Sequence, residues 1–246
     1  MPGIPQVHQV EGAAMSERFF LSTSPRDGRA VLDGDEARHL ARVLRCAVGD
    51  MIRVFDGTGT EWPARVASIA RDQVIVELGE PVCDEPPPGV RLTVAVALPK
   101  GERQKWLVEK LTELGTGRLV PLVTTRGVAE PTPAAVERLR RGVIEACKQC
   151  GRRTLMEIGM PQSIADLVGA RHPGSWIVVA DPGAPPLAAG AASARGLAVI
   201  ALVGPEGGFT PEEFAALDAA GIERVGLGPH VLRVETAAIA VAARLA

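Results

Sequence analysis

Aromatic residues are scarce in this chain of 246 residues, and tyrosine is absent. Aromatic side chains make up only 3% of the sequence. Proteins that bind single-stranded nucleic acid without sequence preference stack the bases on several exposed aromatic rings. The composition therefore argues against a broad base-stacking surface, and a nucleic-acid partner would have to be recognised through charge and shape.

A strong net charge and long apolar segments are missing as well. The formal net charge is −2, so a nucleic-acid role requires a local basic patch. No apolar run approaches the roughly 20 residues of a membrane-spanning helix. Residues 1–14 lack the basic start and apolar middle of a signal peptide, and we expect a disordered tail ahead of a true start at Met15.

Cysteine is too sparse for a disulfide framework, which favours a reducing, cytoplasmic location. The four cysteines are Cys46, Cys83, Cys147 and Cys150. The last two are one helical turn apart, but no second pair completes a four-ligand zinc site, so we expect no metal.

The first third of the chain alternates short β-prone pieces with turn signals, which predicts a small β-barrel. The predicted strands are Arg18–Leu21, Met51–Phe55, Trp62–Ile69 and Gln73–Leu78, with a hairpin loop at 56–59. One helix is predicted at Asp35–Leu44. It places Arg38, Arg42 and Arg45 on one face, opposite Leu40, Val43 and Leu44. That basic face is either merely solvated or contacts phosphates; His39 is more often structural than catalytic.

A stiff, proline-rich linker at 84–89 separates this domain, residues 15–83, from the rest of the chain, residues 90–246. Beyond it, apolar strands alternate with amphipathic helices, which predicts an α/β domain with a mostly parallel sheet. The strands are Leu92–Leu98, Leu119–Val123, Trp176–Ala180, Leu197–Val203 and Arg224–Leu227. The helices are Arg103–Leu114, one opening at Thr132-Pro133 with Cys147 and Cys150 inward, one from Thr210 to Ala220, and Thr236–Ala246. The last is apolar nearly all round, so it must be buried in the core or in a subunit interface.

The stretch Leu197–Glu213 is the centre of this domain. Its apolar run reads as a strand buried on both faces, and the loop at 204–208 is rich in glycine. Thr210-Pro211-Glu212-Glu213 then opens a helix with a capping box. A glycine loop between strand and helix is a common ligand site, although it can also be only a tight turn. Two further loops, at 99–103 and 226–236, can converge on the same sheet edge.

Five segments resemble one known family, and together they extend over nearly the whole chain after residue 15. They are H-L-A-R-V-L-R (39–45), K-G-E-R-Q-K-W-L-V-E-K-L-T-E-L-G (100–115), E-A-C-K-Q-C-G-R (145–152), L-V-G-P-E-G-G-F-T-P-E-E (202–213) and L-G-P-H-V-L-R-V-E-T-A (227–237). The family is the RsmE family of 16S ribosomal RNA (uracil-N3)-methyltransferases, in the SPOUT superfamily. The order of the glycine loop and the L-R-x-E-T segment makes the resemblance specific.

This resemblance implies an N-terminal PUA-like β-barrel that binds RNA and a C-terminal SPOUT domain with a trefoil knot. It implies a homodimer that uses S-adenosylmethionine (SAM) to methylate N3 of one uridine in 16S rRNA of the small ribosomal subunit. The implied SAM-binding residues are Leu202, Gly204, Pro205, Glu206, Gly207, Gly208, Leu227, Gly228, Leu232, Thr236 and Ala237.

Two residues of the L-R-x-E-T segment are candidates for catalysis. Arg233 is expected to stabilise the developing uracil anion or to position RNA. Glu235 accepts a proton or only caps the last helix. His230 stands where the family usually has arginine, so a phosphate contact at that position would become weaker or pH-dependent.

RNA recognition is expected to rest on basic residues: Arg38, Arg42 and Arg45 in the barrel, and Arg126, Lys148, Arg152 and Arg153 in the catalytic domain. Two alternatives stay open: a ribose 2′-O-methyltransferase on the same scaffold, and a non-catalytic RNA-binding factor in ribosome assembly.

Overall fold

The computed structural model describes residues 17–83, 91–129, 131–170, 172–191 and 198–245. The chain divides into two compact units, Met1–Cys83 and Asp84–Ala246. The predicted tail at 1–14 and the linker at 84–89 lie outside the described residues.

The N-terminal unit is a six-stranded sheet that curls into a half-barrel. Its strands are β1 (Arg18–Phe20), β2 (Arg29–Asp33), β3 (Met51–Phe55), β4 (Thr60–Ile69), β5 (Gln73–Leu78) and β6 (Val82–Cys83). They pair in the order β1-β3-β4-β5-β2, with β6 against β4. The hairpin predicted at 56–59 is confirmed, because β3 and β4 pair antiparallel on either side of it. The prediction missed β2 and β6.

The predicted helix at 35–44 is in part wrong. An α-helix, α1 (Gly34–Arg38), passes directly into a single π-helical segment, His39–Val43. A π-turn is wider than an α-turn, so the 3.6-residue phase used to group the arginines does not persist through it. Val43, expected on the apolar face, is 66% exposed. Arg45 lies beyond the helix with a φ of 55°, so the three arginines do not form one helical face.

The C-terminal unit is built on a parallel sheet, as the apolar runs predicted. Its strands are β7 (Leu92–Val96), β8 (Arg118–Val123), β9 (Glu157–Ile158), β10 (Gln162–Ser163), β11 (Trp176–Ala180), β12 (Val199–Val203) and β13 (Glu223–Val225). The order is β10-β8-β7-β12-β11-β13, with β9 against β8, and each of these pairings is parallel. The predicted central strand β12 lies between β7 and β11.

Five helices accompany this sheet in the described part of the unit. They are α2 (Arg103–Glu113), α3 (Pro133–Cys150), α4 (Ile164–Gly169), α5 (Pro211–Ala219) and α6 (Val234–Leu245). The capping box of α5 is confirmed, since Glu213 N donates to Thr210 Oγ1 at 3.2 Å and Thr210 N to Glu213 Oε2 at 2.8 Å. The prediction missed α4, β9 and β10. No helix among the described residues is long and apolar enough to cross a membrane.

Two details of the helices differ from prediction. Cys147 is buried as expected, but Cys150 is exposed because it ends α3 beyond the part of the helix that packs on the core. Helix α6 begins at Val234, two residues earlier than predicted. Its small apolar residues are buried against α2, β7 and β12 of its own unit.

Candidate active site

A cavity of about 200 Å³ opens at the carboxyl ends of three neighbouring strands, β12, β11 and β13. This edge of a parallel sheet is where ligands bind in open α/β folds. The chain that follows each strand supplies a wall, and the start of α6 completes the lining. The lining residues are Ala180, Asp181, Pro182, Val203, Gly204, Pro205, Glu206, Gly208, Phe209, Phe214, Leu227, Gly228, His230, Val231, Leu232, Val234 and Ala237.

The glycine loop, which we define as residues 204–209, makes the first wall. Gly208 N donates to Pro205 O at 2.8 Å, and Gly208 has a φ of 67°, a left-handed conformation that favours glycine. A Cβ on Gly204 would lie 2.9 Å from the ring of Phe209. The loop backbone and the aromatic ring of Phe209 are therefore packed together, and both shape this wall.

The chain after β13 makes the opposite wall and is held by a second segment at 184–187. Gly226 N donates to Pro185 O at 2.7 Å, and Leu187 N donates to Gly226 O at 2.9 Å. A Cβ on Gly226 would lie 2.3 Å from Ala184 O, so this approach of two backbones requires glycine. The two bonds fix the start of the wall that continues through Leu227 and Gly228.

The third predicted loop, at 99–103, does not line the cavity but contacts one lining residue, Glu206, and the buried Glu235. Arg103 Nη1 lies 3.2 Å from Glu206 Oε1, in the glycine loop, and 3.7 Å from Glu235 Oε2, in the first turn of α6. Glu235 is 4% exposed, and its Oε2 accepts no hydrogen bond from a described residue. One arginine thus joins the glycine loop to the helix that carries the predicted catalytic segment.

Comparison with known proteins identifies the family to which this chain belongs. A family model described as an RNA methyltransferase domain matches residues 85–246, and one described as an RNA methyltransferase PUA domain matches residues 32–79. The chain is 33% identical to ribosomal RNA small subunit methyltransferase E of Mycobacterium bovis over 232 residues, which is 89% of this chain and 87% of that protein. The chain belongs to the ribosomal RNA small subunit methyltransferase E family.

Two solved structures of similar fold are described with the cofactor bound. Ribosomal RNA small subunit methyltransferase E from Neisseria gonorrhoeae, bound to S-adenosyl methionine, matches with a TM-score of 0.83 and 27% identity, over 93% of this chain and 95% of that one. A methyltransferase from Legionella pneumophila in complex with SAM matches with a TM-score of 0.83 and 26% identity, over 94% of this chain and 96% of that one. The predicted family and its SPOUT and PUA-like domains are therefore confirmed.

The structure brings together most of the residues predicted to hold the cofactor. Eight of them line the cavity: Gly204, Pro205, Glu206, Gly208, Leu227, Gly228, Leu232 and Ala237. Leu202, Gly207 and Thr236 do not. Sequence reasoning missed the wall at 180–182, although the apolar run of β11 followed by Asp181-Pro182-Gly183 is the same strand-then-turn signal that marked the glycine loop.

The two predicted catalytic residues are placed differently. Arg233 is exposed between Leu232 and Val234, which both line the cavity, and its side chain makes no ion pair with a described residue. Glu235 is buried beside Arg103 and does not line the cavity.

The predicted RNA-binding residues differ in how free they are to meet RNA. Arg42 and Arg45 are exposed, whereas Arg38 is exposed but pairs with Asp35. Arg152 Nη1 donates to Thr112 O at 3.0 Å, and burial lowers the pKa of the Arg152 guanidinium. Its role in the structure is to hold the end of α2.

Three other predicted RNA-binding residues have partners or are partly covered. Lys148 lies 3.3 Å from Glu145, and Arg153 is half-buried. Arg126 is exposed but donates to backbone carbonyls of the glycine loop.

Proposed function

We propose that this protein transfers a methyl group from SAM to N3 of a uridine in 16S rRNA of the small ribosomal subunit. The observation that carries the proposal is the cavity at the carboxyl ends of β12, β11 and β13, within a chain that belongs to a family of small-subunit rRNA methyltransferases. Two solved relatives of the same fold are described with SAM bound.

The residues of the cavity fit such a cofactor. Its walls are mainly apolar side chains and glycine turns, with Asp181, Glu206 and His230 also in the lining. A side chain at Gly204 would push into Phe209. Exposed main-chain groups at these turns can recognise a purine by hydrogen bonds, and the apolar residues can cover its faces. When bound, SAM supplies a methyl group on a positively charged sulfur, so the protein has to align the acceptor and help it lose a proton.

Arg233 is the proposed catalytic residue. Its position between two lining residues puts it at the rim of the cavity, where a uracil has to approach. Loss of the N3 proton to solvent leaves negative charge on the uracil, and a permanently charged guanidinium stabilises that charge without a proton transfer of its own.

Glu235 has a positioning role in this proposal. A general base must come within hydrogen-bond reach of the proton it removes, and Glu235 does not line the cavity. It holds the start of α6 against Arg103 instead, which fixes the backbone next to Arg233.

The experiment compares wild type, Arg233→Ala and the control Arg138→Ala on small ribosomal subunits from cells that lack the gene. We expect Arg233→Ala to reduce methylation about 100-fold or more, the effect of removing a charge-stabilising donor. It should bind SAM normally, and Arg138→Ala, an exposed residue of α3, should behave as wild type. Primer extension identifies the product, since N3 methylation blocks Watson–Crick pairing and ribose 2′-O-methylation does not.

Methylation of a ribose 2′-hydroxyl by the wild-type protein, or no methylation at all, would contradict the proposal.

Homodimerisation, the trefoil knot and a cytoplasmic location are proposed on the same family resemblance. Sedimentation of the purified protein tests the first of these.

A further inference from the structure

We propose that Arg126 is a positioning residue that fixes the glycine loop for the cofactor, rather than a contact for RNA. The inference rests on the proposed function, because the loop it acts on is the proposed SAM site. It differs from the prediction made from the sequence, which places Arg126 among the basic residues that bind RNA.

The contacts of Arg126 are directed at the main chain of the glycine loop. Its Nη1 donates to Gly207 O at 2.8 Å and lies 3.5 Å from Phe209 O. The aliphatic part of its side chain packs on the same loop, since a Cβ on Gly207 would lie 3.4 Å from Arg126 Cδ. The guanidinium and the aliphatic part of the Arg126 side chain thus both contact one short segment around Gly207, which is 81 residues away along the chain.

The neighbouring residue, Thr125, binds the start of α5, which directly follows the glycine loop. Thr125 donates to Glu213 Oε1 through its backbone N at 2.8 Å and through its Oγ1 at 3.1 Å. The second oxygen of Glu213 accepts from Thr210 N in the capping box of α5. Residues 125–126, just after β8, therefore hold both the glycine loop and the helix start that follows it.

These bonds act on the one residue of the loop with a left-handed backbone. The carbonyls of Gly207 and Phe209 lie on either side of Gly208, which has a φ of 67° and lines the cavity. Bonding both carbonyls from one nitrogen fixes the peptide groups around Gly208 in one orientation. Glycine segments lose much conformational freedom on ordering, so a loop that is ordered in advance binds its ligand more tightly.

Isothermal titration with SAM, without RNA, tests the proposal on wild type, Arg126→Ala, Arg126→Lys and Arg138→Ala. We expect Arg126→Ala to raise the Kd about tenfold, within the range for losing a hydrogen bond to a charged group. Arg126→Lys should recover part of the loss, because an ammonium can still donate to one of the two carbonyls. Arg138 is exposed on α3 and makes no ion pair with a described residue, so its variant should bind as wild type.

The direction in which Arg126→Ala changes the affinity for SAM distinguishes a positioning role of Arg126 from a purely electrostatic effect of its charge. The cofactor carries a sulfonium, so removing a nearby positive charge would strengthen its binding if only the field mattered. Weaker binding of SAM to Arg126→Ala is therefore expected only if the arginine orders the loop. In steady-state assays the KM for SAM should rise while the KM for the ribosomal subunit is unchanged.

RNA affinity measured against salt provides the opposing outcome. A lost phosphate contact would reduce the salt slope by about 1, whereas loss of a positioning residue leaves the slope unchanged. Wild-type affinity for SAM in Arg126→Ala, with a reduced salt slope, would overturn this inference and leave the proposed function standing. Failure of wild type itself to bind SAM would instead overturn the proposed function, and this inference with it.

Discussion

Substitution of Gly226 by alanine is the sharpest test of how the cavity wall is built. The backbone of Gly226 does not have a positive φ, so alanine is allowed there on conformational grounds. Its methyl group, however, would lie 2.3 Å from the carbonyl oxygen of Ala184. Both atoms belong to the framework of the fold, so neither can move as the end of a flexible side chain would.

The cost follows from the distance. Real Cβ atoms essentially never approach another atom closer than 3.0 Å, so the two segments must separate by about 0.7 Å. That movement strains the bonds from Gly226 N to Pro185 O and from Leu187 N to Gly226 O. Overpacking costs about 1–3 kcal/mol, and each lost hydrogen bond about 1 kcal/mol more. With both bonds lost, we expect the unfolding free energy to fall by roughly 3–5 kcal/mol, together with weaker SAM binding through displacement of Leu227 and Gly228.

Urea denaturation followed by circular dichroism measures this loss, with Gly142→Ala as the matched control in the same unit. Gly142 lies within α3, and its added methyl would be 3.4 Å from Val108, an ordinary contact. Because glycine is unfavourable inside a helix, that variant should gain about 0.5–1 kcal/mol. If Gly226→Ala unfolds at the same urea concentration as wild type and binds SAM equally well, the close backbone approach is not what shapes this wall.

Four further outcomes are expected. Arg103→Ala should raise the KM for SAM and lower kcat together, because Arg103 holds both the glycine loop and Glu235; unchanged kinetics would count against this link. Thr210→Ala should lower the unfolding free energy by about 1 kcal/mol, as an N-cap loss does, measured by urea denaturation. Hydrogen bonds from Ser163 lower the pKa of Asp166. The capping box of α4 therefore stabilises the fold above the ordinary aspartate pKa of 3.8, and this contribution is lost as the pH falls through the lowered pKa. Unfolding of Asp166→Asn measured over the same pH series should show no such loss. Affinity for rRNA should fall steeply with salt, and a flat response in filter binding would argue against recognition by basic residues.

The strands and the glycine loop could be predicted because their signals are local. An apolar run such as Trp176–Ala180 is long enough for a buried strand and too short for most helices, and the structure has β11 at the same bounds. The capping box at Thr210 likewise depends only on residues three apart in the chain.

The parts that sequence reasoning missed depend on distant partners. The π-helical segment after Arg38 has the composition of an ordinary helix, and the wider turn that exposes Val43 leaves no mark in the residue pattern. Arg126 meets its carbonyl partners 81 and 83 residues away, so the sequence around it predicts an RNA-binding arginine near the cleft but not its bonds to the glycine loop. The wall at 180–182 has a local signal in the turn after β11, but its position beside the glycine loop follows only from the sheet order, which places β11 next to β12 and β13.

Burial separates the two polar residues that the sequence placed together in the catalytic segment. Arg233 precedes α6 and is exposed at the cavity rim, where a substrate can reach it. Glu235 lies in the first turn of α6, where a carboxylate is favoured by the helix dipole, and it faces Arg103 at the start of α2. Because Arg103 also pairs with Glu206, this arginine connects the glycine loop, through the buried carboxylate of Glu235, to the backbone that carries Arg233. The same short motif therefore supplies the residue that we propose to meet the substrate and, two positions later, the residue that we propose to hold it in place.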